Sequence, residues 1–121
     1  MQGLDNREFT GHAYYEGRDG GDPTKFLFNV DGDELLMTRA AIFADTCYLR
    51  GNYSFTASGI SSTGTYVCAD FGGAGTYQAS SMQVNDLGVY SGRLILTPSG
   101  SGRPRTEVQA GILTTDGVIG D

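Results

Sequence analysis

From Cys47 to Ala57 the chain alternates without a break. Cys47, Leu49, Gly51, Tyr53, Phe55 and Ala57 share one parity, and Tyr48, Arg50, Asn52, Ser54 and Thr56 share the other. A period of two is the signature of a half-buried β-strand, because successive side chains leave opposite faces of the backbone. The same period recurs along the sequence. Segment 7–16 groups Phe9, Gly11, Ala13 and Tyr15 against Thr10, His12 and Tyr14. Segment 25–30 groups Phe26, Phe28 and Val30 against Lys25 and Asn29. Segment 64–71 sets Thr65, Val67, Ala69 and Phe71 inward against Tyr66, Cys68 and Asp70. Segment 89–97 sets Tyr90, Gly92, Leu94 and Leu96 against Ser91, Arg93 and Thr97, and 106–113 sets Val108, Ala110 and Ile112 against Glu107, Gln109 and Leu113. Segment 75–84 alternates more weakly.

Turn chemistry separates these runs. Gly17–Pro23, Ser58–Ser62, Gly72–Gly75, Asn85–Gly88 and Pro98–Pro104 are dense in residues that accept positive φ or preset a turn. Asp31-Gly32 lies between two apolar runs, which predicts a hairpin with a type I′ turn centred on that pair. Segment 33–45 carries good helix formers, with Leu36, Ala40 and Phe43 on one helical face. A strand over 34–43 is preferred, because the preceding hairpin turn needs a partner directly after it.

Eight segments joined by short links predict antiparallel neighbours throughout, since a parallel crossover needs a much longer connection. The chain of 121 residues fits a single domain spanning 1–121. An up-and-down meander of about eight strands must hide its apolar face. It does so by closing into an all-β barrel or, as the alternative, by folding into a two-sheet β-sandwich. Nineteen glycines, against a norm of roughly 7%, suit a strongly coiled sheet, with Gly11, Gly51 and Gly92 as kinks inside strands.

Charge narrows the function classes. Eight Lys and Arg against 14 Asp and Glu give a net charge of −6. Nucleic acid is not an expected partner, because phosphate contacts require clustered cations. An acidic mimic of nucleic acid would need carboxylates gathered on one face, and here they are scattered. No run approaches the roughly 20 apolar residues of a membrane-spanning helix, and no membrane partner is expected. Without a secretory leader pattern after Met1, the cytoplasm is the expected address, with a virion or secreted location as the alternative. Cys47 and Cys68 are read as free, partly buried thiols, with a disulfide open to them if their strands are neighbours.

Candidate chemistry is sparse. His12 is the only histidine and has no oriented partner in the sequence, so a Cys47 or Cys68 nucleophile paired with it is disfavoured. Asp31, Asp33 and Glu34 read as a hairpin tip, since the spacing of a twelve-residue calcium loop is absent. Glu16, Asp70 and Glu107 are the strand-borne acids that a glycosidase pair would draw on. No catalytic residue, metal site or cofactor is assigned. Phe26, Phe28, Leu49, Tyr53, Phe55 and Leu94 are expected to wall the barrel interior, where a ligand would sit. Tyr48, Arg50 and Tyr66 are expected on an outer face that suits a protein partner.

The eight-strand meander, with its Gly-Asn-Tyr-Ser-Phe-Thr and Gly-Thr-Tyr stretches, resembles small calycin-like barrels of the avidin and lipocalin type. The resemblance implies shape alone. The Gly-x-Trp signature of lipocalins and the Trp residues of the avidin pocket have no counterpart, because the chain has no Trp. The function expected is therefore a non-enzymatic binding module. It would hold a small apolar ligand in the barrel or a protein partner on the Tyr/Arg face. Alternatives are a structural or assembly subunit of virion, decoration or filament type, and a small cavity-based isomerase or cyclase. A homo-oligomer is compatible with each.

Overall fold

The computed structural model describes residues 7–15, 21–41, 46–69, 73–100 and 102–113. Eight strands follow one another: β1 (Arg7–Tyr15), β2 (Asp22–Asp31), β3 (Glu34–Ala41), β4 (Thr46–Thr56), β5 (Gly59–Cys68), β6 (Ala74–Val84), β7 (Val89–Pro98) and β8 (Arg105–Leu113). Each pairs antiparallel with the next, and β8 returns to β1, so the sheet closes into a barrel. Closure leaves no long strand edge to template another chain. The segment read as strand or helix is strand β3, whose burial alternates residue by residue.

The turns differ in detail from the sequence expectation. Asp31 pairs with Glu34, so the two-residue turn of the β2–β3 hairpin is Gly32-Asp33. Gly32 alone has positive φ there, at 63°. Gly at the first central position is the pattern of a type II′ turn, which also matches the twist of the flanking strands. The break expected over Ser58–Ser62 is shorter still. Thr56 pairs with Gly59, and Ile60, Ser61 and Ser62 already belong to β5. Asp70, Phe71, Glu16 and Phe43 lie outside the described residues.

Two cross-strand glycine pairs let the sheet curl. Gly11 faces Gly111, and Gly51 faces Gly64. A Cβ on Gly11 would overlap the Ala110 carbonyl oxygen, and one on Gly51 would overlap that of Thr63. Only residues without a side chain allow backbones this close approach.

Strand parity follows the sequence reading in β1, β2, β4 and β7 and departs from it in two strands. In β5, Tyr66 and Cys68 point inward, while Thr65 and Val67 are exposed. In β8, Glu107 and Gln109 are buried, while Val108 and Ile112 face solvent. The inward turn of β5 sets Cys68 directly opposite Cys47, where the two form a disulfide with a Cα–Cα distance of 4.0 Å. The expectation of free thiols is thereby corrected. Their strands are adjacent and in register, which puts the two sulfurs within bonding reach.

The disulfide closes a loop of sequence separation 21, which by chain entropy is worth about 3 kcal/mol. Reduction by dithiothreitol is expected to lower the stability by that order in urea-induced unfolding. An unchanged midpoint after verified reduction would contradict this.

Candidate functional site

The interior has two chemically distinct zones. In the first, Tyr90 packs against Phe9, Phe26 and Phe28 with ring centroids 5.2, 5.5 and 5.1 Å away. All four side chains are fully buried. Gly92 makes the room, since a Cβ there would stand 2.6 Å from the Tyr90 hydroxyl. Leu35, Met37, Leu49, Leu94 and Leu96 complete this core.

The second zone is polar and equally buried. Arg39 on β3 donates from Nε to both oxygens of Glu107 on β8, at 2.8 and 2.9 Å, and its Nη2 lies 2.6 Å from Oε1. Gln109 donates from Nε2 to Glu107 Oε2 at 2.7 Å, and the Tyr90 hydroxyl donates to Gln109 Oε1 at 2.6 Å. The Arg39 guanidinium also lies 5.4 Å from the centre of the Tyr15 ring. A buried charge is tolerated only when paired and hydrogen-bonded, and this chain of contacts meets that requirement. Burial, reinforced by the nearby Glu107 charge, holds the Tyr90 phenol far above its ordinary range. Burial also raises that of Tyr77, against the opposing effect of its hydrogen bond with Ser62.

A cleft opens at the end of the barrel that carries the β2–β3, β4–β5 and β6–β7 turns. Its volume is about 760 Å³, within the roughly 300–1,000 Å³ range of small-molecule sites. One wall is the tip of the β4–β5 hairpin, with Phe55 and Ile60. Pairing with β3 stops at Asn52, so the last residues of β4 project beyond the rim. The end of β6 and the turn after it also line the cleft, with Met82, Val84 and Leu87. Leu113 and Ile112 of β8 close one side, and Arg7 and Asp86 supply charge.

Local sequence builds this lining. Asn85 accepts from the Leu87 and Val89 backbone N–H groups through Oδ1, at 2.9 and 3.0 Å, which fixes the β6–β7 turn and holds Leu87 outward. A β-bulge interrupts the β6–β7 pairing between Ser80 and Gln83. Ser81 within it has φ of 54°, the one non-glycine residue with positive φ among the described residues. Bulges bend the strand that carries them, and this one lies at the start of the cleft-lining stretch of β6.

The residues expected from sequence divide accordingly. Phe26, Phe28, Leu49 and Leu94 are core residues and line no part of the cleft. Tyr53 is half-buried, and its hydroxyl donates to the Gly32 carbonyl at 3.2 Å. Phe55 was expected inside but is 64% exposed, because the hairpin overruns the rim and leaves its inward parity without an interior. Tyr66 was expected on the outer face and is instead buried, through the reversed parity of β5. Tyr48 and Arg50 are on the outer face as read. They border a shallow groove of about 350 Å³ with Leu36 and Val67. Arg50 forms a two-pronged pair with Glu34, at 2.7 and 2.9 Å. That hydrogen bond holds the Glu34 carboxyl below its ordinary value and raises the Arg50 guanidinium.

Sequence reasoning did not find Leu87, Met82 or Arg39. Leu87 sits in a turn signal, Met82 lies within a bulge that breaks the period, and Arg39 required a partner 68 residues away. No protein-family model matches the chain, and no curated protein or solved structure matches it either.

The raised phenols give a pH signature. A tyrosine whose folded value lies above the unfolded one stabilises the fold fully below the unfolded value, near 10.0. Stability then falls as pH rises beyond it, because only the unfolded chain releases the proton. Tyrosinate absorbance in the folded protein should therefore be insensitive to Tyr90→Phe up to about pH 11. A loss of one tyrosine's amplitude below that pH would contradict the assignment.

Proposed function

We propose that the protein is a non-enzymatic binding module that takes a small apolar ligand at the hairpin end of its barrel. One observation carries the reading. Phe55 and Leu87, 64% and 87% exposed, both line one cleft, together with the apolar Ile60, Met82, Val84 and Leu113. Large apolar side chains exposed beside a concavity lose free energy to water that a ligand bound against them would recover. Barrel mouths are a recurrent place for such sites, and the likeness in shape to calycin-like barrels points the same way. With the aromatic cluster filling the centre, the ligand sits at the rim. The charges of Arg7 and Asp86 suit an amphipathic molecule with its polar end toward solvent. The Cys47–Cys68 disulfide favours an oxidising setting over the cytoplasm expected from sequence.

A second reading, a protein partner on the Tyr48 face, draws on the groove between Leu36, Tyr48 and Val67. Tyr48 and Val67 are 51% and 54% exposed there. It is the weaker of the two, because the Arg50 guanidinium is already engaged by Glu34 and Tyr66 has left the face.

The test is a fluorescence titration with 1-anilinonaphthalene-8-sulfonate. Saturable one-to-one binding is expected, and Phe55→Ser and Leu87→Ser should each weaken it by about tenfold, the worth of one buried apolar side chain. An absence of saturable binding, or affinity unmoved by both substitutions, would overturn the proposal.

A further inference from the structure

The outward face of β8 reverses the usual order of a half-buried strand. Its polar residues Glu107 and Gln109 are inside, and Val108 and Ile112 are 48% and 61% exposed. The register arranges the neighbours in rows. Arg93, Val108 and Tyr14 lie side by side across β7, β8 and β1, followed by Ser91, Ala110 and His12, then Val89, Ile112 and Thr10. Tyr14 and Val89 are 42% and 39% exposed. Among the outward residues of these three strands only Glu8 and Arg93 carry charge, so the face is neutral in a chain of net charge −6.

We infer that this face is the docking surface for a second copy of the chain, related by a two-fold axis that runs along β8. The inference does not rest on the ligand reading, with whose cleft this face shares Ile112. Rotation about such an axis lays β7 of each copy over β1 of the other and keeps every row at its own level. Val108 then meets the second copy's Val108, and Ala110 meets its Ala110. Arg93 comes over the second copy's Tyr14, a guanidinium on an aromatic face, made twice by symmetry. An acidic protein meets its own copy most readily through a face cleared of acid, and like-charge repulsion is smallest there.

The size of the face sets the strength. Three strands about 4.8 Å apart and about eight residues long cover roughly 400 Å². A stable dimer buries about 800 Å² on each partner. The association is accordingly weak, with a dissociation constant of the order of 100 μM.

Sedimentation velocity on the full chain from about 10 μM to about 1 mM spans that constant. A monomer–dimer equilibrium is expected. Val108→Glu should raise the dissociation constant at least tenfold, and Arg93→Glu should raise it several-fold. Val67→Glu, on the outer face of β5 and away from these three strands, should leave it unchanged. Circular dichroism confirms that each variant is folded. Should Val108→Glu fail to fold, Ala110→Glu on the same face replaces it. A strictly monomeric protein at the highest concentration would overturn the inference. So would a dimer that survives the glutamate on β8, or one that Val67→Glu dissociates equally.

Discussion

The buried pair between Arg39 and Glu107 is the interaction on which the rest of the barrel depends. Taking two charges out of water costs several kcal/mol for each, and each of these two residues meets that cost through its bonds to the other. The pair ties β3 to β8 across the two strands that separate them on the barrel wall. Once Glu107 is inside, the period of two fixes the facing of every residue on β8. Gln109 follows it inward and meets the Tyr90 hydroxyl, which connects the polar zone to the aromatic cluster. Val108, Ala110 and Ile112 are sent outward by the same rule. One ion pair therefore shapes both the interior and the apolar face outside it.

Much of the architecture is legible from periodicity. The alternation in β1, β2, β4 and β7 identifies both strand and face, and the Asp-Gly signal locates the β2–β3 hairpin to within one residue. The rest depends on information that no single segment holds. In β8 the apolar residues form the obvious inward set, and only the distant Arg39 reverses the choice. In β5 Val67 and Tyr66 are equally credible core residues, so local pattern does not decide between parities. A signal was nonetheless present. Cys47 and Cys68 are equidistant from the Ala57-Ser58 turn, and a two-residue hairpin there places them opposite each other. The Ser-rich start of β5 hid that turn by reading as a longer break.

The candidate site shows why a correct parity can still give a wrong location. Phe55 has inward parity on β4, but the hairpin outlasts the strand beside it, and inward there means toward the cleft. Leu87 carries no period because it belongs to a turn, which the Asn85 side chain holds in place. Both residues are exposed for the same reason: the segments that bear them extend past the barrel's packed layers. The cleft is thus built largely from the ends of elements, while the strands between them are committed to packing.

The dependence of β8 on the buried pair is read out by a double-mutant cycle on Arg39→Met and Glu107→Leu, followed by urea-induced unfolding. Each single substitution takes an ion-pair partner from a buried charge and should cost about 3–5 kcal/mol. The double substitution removes both charges and should cost far less than the sum of the two. Additive losses would contradict the account, since they would mean that the two side chains contribute independently and that the facing of β8 is set by something else.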